Sequence, residues 1–127
     1  MGQGAFMTVE NKSKTPIMLF INSVNCMYDN GEQGSNLQAF NSVIVGPGQQ
    51  APASGKQYIE DKDSGSCAFE TATFTLVVTD SKNNTLGTVA FSESSSAFSG
   101  TSSNIDLIQV LCSNDTGDQS VIVVTVL

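Results

Sequence analysis

Apolar residues in this chain come in short runs that alternate with polar ones, and no 3.6-residue rhythm persists over ten residues. The runs are rich in Val, Ile, Phe and Thr and are broken by Gly, Asn, Asp, Ser and Pro, which is a strand-and-turn pattern. About eight strands are predicted. The first covers residues 5–10. Pro16 opens the second, which runs to residue 24, and proline is tolerated at a strand's first position. There Ile17, Leu19 and Ile21 share one face and Met18, Phe20 and Asn22 the other, and both faces are expected to be largely buried at its start. The polar stretch 26–36 predicts a surface loop. A third strand is predicted over 37–45, with Val43 and Val45 on one face, followed by a Gly/Pro-rich connection over 46–56.

A short strand is predicted over 57–60, and the longest β run over 67–79. In that run Ala72, Phe74, Leu76 and Val78 form the more apolar set and should face the core. The turn 80–85 joins it to a strand over 86–92 as the clearest hairpin. The serine-dominated stretch 92–103 predicts a loop or an edge segment, anchored by Phe98. Strands over 105–112 and 120–127 predict a second hairpin with a longer loop. The last run, SVIVVTVL, is apolar on both faces and reads as a central core strand; at an edge it would pair with another chain. Together these elements predict one all-β domain over residues 1–127, an antiparallel β-sandwich. Glycines other than Gly87 fall between the predicted strands, which argues against a closed barrel.

Composition narrows the chemistry. The 127 residues include no His, Trp or Arg, and the basic residues are Lys12, Lys14, Lys56, Lys62 and Lys82 against twelve carboxylates, for a net charge of −7. Without His, neither Ser-His-Asp nor Cys-His catalysis can be assembled. Without Arg, planar phosphate and carboxylate clamps are absent, and an acidic chain with scattered lysines does not suit nucleic acid. Two tyrosines, Tyr28 and Tyr58, and no Trp give little for a sugar-cleaving cleft. The chain is therefore expected to be non-enzymatic, with no cofactor.

Two ligand classes compete with plain turn chemistry. Glu60, Asp61 and Asp63 are hard oxygen donors, but Ser66 and Ala72 stand where an EF-hand counted from Asp61 needs Gly and Glu. A looser calcium site with Asp29, Glu32, Asp115 or Asp118 is the weaker reading, so no metal site is expected. Loops such as Tyr28-Asp29-Asn30 and Asn83-Asn84 offer sugar-binding groups, but the same residues form turns. Sequons occur at Asn11, Asn83 and Asn114, a number expected by chance in a chain this rich in Asn, Ser and Thr.

The cysteines are Cys26, Cys67 and Cys112, an odd number that leaves at least one thiol outside any internal disulfide. They are read either as reduced thiols or as intermolecular links. Cys26 and Cys67, in polar Gly-rich surroundings, are the first candidates for links, with Cys112 as the third and more buried one. The first fourteen residues hold no basic segment followed by an apolar core, which predicts an intracellular protein. With 13% charged residues, repulsion between copies is weak, and net charge shrinks as pH falls toward the pI of about 4.1. Size, acidity and the three cysteines as candidate cross-links resemble the matrix proteins of intracellular protein crystals, such as the octahedral crystals of fungal vacuoles. The run VENKSKTPIMLFI also resembles the N-terminal strands of small β-sandwich toxins and lectins. The first resemblance implies a self-assembling structural protein with itself as partner, in an acidic vacuole-like compartment. The second implies a binding module directed to glycans or membranes.

Overall fold

A computed structural model describes residues 3–94, 97–114 and 119–127. Among the described residues the strands are β1 (Gly4–Asn11), β2 (Ile17–Asn25), β3 (Met27–Tyr28), β4 (Val43–Val45), β5 (Gln50–Ala51) and β6 (Gln57–Asp61). After them come β7 (Ala72–Asp80), β8 (Thr85–Ser94), β9 (Ala97–Ser102), β10 (Ile108–Ser113) and β11 (Gln119–Val126). They form two packed sheets, a β-sandwich of eleven strands rather than eight. One sheet has the order β10-β11-β1-β6-β3, with β5 also on β1; the other runs β4-β2-β7-β8-β9.

The alternation read from the sequence is the alternation that packs. Met7 and Val9 of β1, Ile17 and Leu19 of β2, Leu76 and Val78 of β7, and Ile122 and Val124 of β11 all point inward and are buried. Phe74 and Phe91 face each other across the β7–β8 ladder and stack with centroids 4.7 Å apart. Such a pair adds about 0.5–1.5 kcal/mol beyond the area it buries. Phe98 is buried on β9, as its isolation in a serine-rich stretch suggested.

One pairing breaks the antiparallel rule. β1 runs parallel to β11 from Gly4↔Gln119 to Asn11↔Val126, so the terminal strands lie side by side in the middle of their sheet. The apolar C-terminal run is thus a central strand between β1 and β10, and not an edge.

Three predicted elements change. The strand expected over 37–45 is cut to Val43–Val45, and Leu37–Phe40 is a 3₁₀ turn. Its start is capped by the Asn36 side chain, which accepts the Gln38 N–H, and Leu37 and Phe40, three apart, both reach the core. The long run expected from residue 67 begins only at Ala72, because Gly65–Cys67 is another 3₁₀ turn. The strand expected from residue 105 begins at Ile108, and Ile105 in the preceding turn is exposed. Within the loop 26–36, Met27 and Ser35 are buried rather than on the surface.

Candidate functional site

The sandwich has two long sides, and they are built differently. On one side the sheets end in β3 and β4, on the other in β9 and β10.

On the β3/β4 side the chain crosses between the sheets at β2–β3 and again at β6–β7. β2 hands over to β3 through Cys26 alone, held at a left-handed φ of 56°. β6 hands over to β7 through the turn that contains Cys67. Cys26 and Cys67 are joined to each other by a disulfide, with Cα atoms 5.7 Å apart and a sequence separation of 41. This corrects the expectation that these two cysteines link separate copies: the crossovers bring them together inside one chain. Closing a loop of that length stabilises the fold by about 4 kcal/mol in the chain-entropy account.

The same side is capped by polar contacts. The Ser35 hydroxyl donates to the Tyr28 carbonyl at 2.6 Å and accepts the Glu60 N–H at 2.9 Å. The Asn41 side chain accepts the Ile21 N–H at 3.0 Å, just beyond the end of β4 pairing. Glu60 and Asp61 are buried on β6. Glu60 accepts the Tyr58 hydroxyl at 2.6 Å, and Asp61 accepts the Gln3 N–H at 2.5 Å. Burial, followed by the Glu60 hydrogen bond, pushes the Tyr58 hydroxyl above its ordinary pKa. Asp63 is exposed beyond them. The carboxylates considered for calcium are thus committed to internal partners where they are buried, and no group of three potential ligands comes together among the described residues. Asp29 and Glu32 follow β3, Glu32 opening the 3₁₀ turn Glu32–Gly34, and Asp115 and Asp118 lie outside the described residues. Phe69 projects fully exposed from the turn after Cys67.

The β9/β10 side is different. β9 and β10 each have six residues, and neither strand contains a charged side chain or a proline. Each has one hydrogen-bonded strand neighbour among the described residues. Asn114 closes one end of the seam: its side chain accepts the Phe98 N–H and donates to the Phe98 carbonyl, both at 3.0 Å. It thereby imitates one residue of a neighbouring strand. In mid-seam, Gly100 lets the strands approach: a Cβ there would come within 2.8 Å of the Phe91 ring and 3.0 Å of Val110. The seam then opens into a groove of about 520 Å³ lined by Gly100, Ser102, Ile105, Asp106, Ile108 and Val110, among others. On the outer face of β10, Leu111 is 64% exposed and stands opposite Val123 of β11.

Cys112 lies on this strand as the free thiol, partly buried, and burial raises its pKa. A raised pKa keeps the thiolate scarce at neutral pH and slows oxidation.

The asparagines of the sequons are used internally in two cases. Asn11 is buried, donating to the Thr15 and Val45 carbonyls, and Asn114 holds β9. Asn84 and its neighbours knit the β7–β8 turn around Asp80, which accepts the Asn84 and Lys82 N–H groups, each at 2.9 Å. These bonds, led by the one from Asn84, lower the Asp80 pKa. The open β9/β10 edge was not visible in the sequence, because strand order is not written in local alternation. The signal that was present is the absence of charge and proline from IQVLCS.

No protein-family model matches this chain, and no curated protein is significantly similar to it.

Proposed function

We propose that this chain is a non-enzymatic structural protein that self-assembles through strand edges. The observation that carries the reading is the β9/β10 side: two edge strands without charge or proline, on a chain whose net charge is −7. Natural sandwiches blunt exposed edges with short strands, lysines, prolines or covering loops. The β3/β4 side has such devices. Among the described residues, the β9/β10 side shows the single Asn114 clamp and no lysine or proline in its end strands. Acid favours this assembly, because protonation of carboxylates shrinks the charge that opposes contact between copies. With Cys26 and Cys67 consumed internally, Cys112 is the remaining candidate for an intermolecular disulfide. A protein carrying the Cys26–Cys67 bond fits an oxidising compartment closed to the cytosolic thiol pool.

The test is the absolute mass in solution by light scattering, at pH 7 and pH 5, with and without reductant. A species several times the 13.3 kDa chain, growing at pH 5, is expected. A monomer in every condition ends this reading.

A second reading has its own observation. Phe69 is fully exposed on a turn anchored by a disulfide, which is how a binding loop presents an apolar anchor. Under this reading the protein is a small binding module for glycans or membranes. Liposome leakage and a glycan array, each compared between the parent and Phe69→Ala, test it; no response from the parent in both assays removes it.

A further inference from the structure

The open edge has a definite hydrogen-bonding phase. The Leu127 N–H donates to the Leu107 carbonyl at 2.8 Å, and Ile108 stands opposite Val126. Antiparallel ladders alternate between bonded and non-bonded pairs. Gln109, Leu111 and Ser113 therefore turn their backbone groups toward β11, while Val110 and Cys112 turn theirs outward from the sheet. The outward N–H of Ile108 is already given to the Asn104 carbonyl at 2.8 Å.

Resting on the self-assembly reading above, we infer that β10 pairs antiparallel with β10 of a second copy, about a two-fold axis through Leu111. In this register Val110 of each copy lies opposite Cys112 of the other, and each pair exchanges both backbone hydrogen bonds. Neighbouring registers are poorer. Sliding by one residue sets outward groups against groups already used by β11. Sliding by two in one direction sets Cys112 against Ile108, whose N–H is committed. Sliding by two in the other sets Val110 against Asn114, which lies beyond the strand end.

The occupant follows from charge and symmetry. A two-fold contact places the same surface on both sides, so any charged group near the axis meets its own copy. Self-pairing of a chain at −7 therefore needs an uncharged strand, and β10 is one, from Ile108 to Ser113. Leu111 then meets Leu111 of the second copy as a non-bonded pair, with Cα atoms roughly 4.5 Å apart. Val123 flanks that contact on each side and extends the apolar surface, while the backbone bonds fix the register. Cys112 and its counterpart become diagonal neighbours, roughly 7–8 Å apart, which is too far for a disulfide. The pairing is therefore non-covalent, and Cys112 is not its link.

The register gives a direct test. In a Cys112→Ser chain, Leu111→Cys places a thiol on the two-fold axis, whereas Gln109→Cys places one opposite Ser113 of the second copy. Under mild oxidation Leu111→Cys is expected to form a covalent dimer as its main product, and Gln109→Cys to stay monomeric on a non-reducing gel. Val110→Pro removes an outward N–H that has no acceptor among the described residues. It is expected to halve the mass of the smallest assembled species while the chain stays folded by circular dichroism, with some loss of stability from the Val110 packing it removes. Should Val110→Pro fail to fold, the cross-linking pair decides alone. Equal cross-linking at both positions overturns the register. No cross-link at Leu111→Cys, with assembly unaffected by Val110→Pro, overturns the edge pairing but leaves the self-assembly reading standing. A monomer in all conditions with no cross-link overturns both.

Discussion

The two long sides of this sandwich solve the same problem in opposite ways. Every open sheet ends in a strand with unused backbone groups. On the β3/β4 side the end strands are two and three residues long, a buried serine bridges the last ladder, and a disulfide pins both crossovers. On the β9/β10 side the end strands are six residues long, and one asparagine amide stands in for a neighbour at one end. One side is closed by covalent and polar devices that are costly to remove. The other is held by packing and retains unspent hydrogen-bonding capacity. The chain crosses between the sheets on both sides, but only the β3/β4 crossovers are tied to each other by a covalent bond.

The largest effect that sharpens this contrast comes from the closed side. Cys26→Ser with Cys67→Ser should cost about 4 kcal/mol in urea unfolding and leave the solution mass under native conditions unchanged. A change in assembly without loss of stability would reverse the roles assigned to the two sides. Next, Asn114→Ala leaves the outward N–H and carbonyl of Phe98 without their partner, and should cost about 1–3 kcal/mol. Amide exchange at Phe98 should quicken well before exchange in β7. Third, Leu111→Lys alters an exposed side chain and should move stability by no more than about 0.5 kcal/mol. It should nonetheless abolish assembly at pH 7, by setting like charges across the two-fold axis.

The smallest effect is a pH dependence in the β7–β8 turn. The folded pKa of Asp80 is depressed below its ordinary value of 3.8 by N–H groups of the turn. Its contribution to stability is complete above the unfolded pKa and is lost as pH falls through the lower folded one. Asp80→Asn should therefore flatten the acid limb of the stability curve slightly. A steeper limb would show that the turn bonds do not favour the ionised form.

Much of this fold was legible from alternation, because alternation is what burial on one face of a sheet requires. Residues 72–78 show it cleanly and face inward as expected, while the run 120–127, apolar on both faces, takes the central place that such a run predicts. The run at 37–40 misled because Leu37 and Phe40 fit a strand-like apolar cluster. Their spacing of three and the capping Asn36 were the marks of a 3₁₀ turn. Ile105 misled for the opposite reason: an apolar residue next to an apolar run was expected to belong to it, yet it sits exposed in a turn. The cysteine pairing and the open edge were beyond local reading, since both depend on which distant strands become neighbours. Net charge and the scarcity of charge in IQVLCS were legible, but their meaning depended on β10 being at an edge.

The parallel contact between β1 and β11 has a mechanical side. Force applied through the chain's two ends pulls these adjacent strands in opposite directions along their own axes. The ladder from Gly4↔Gln119 to Asn11↔Val126 is then loaded in shear, so its bonds must yield together instead of opening one by one like a zipper. Resistance to forced extension is governed by the unfolding rate, and a ladder in shear makes that rate slow. The fold can therefore carry tension between its two ends through the β1–β11 ladder without loading β10 directly.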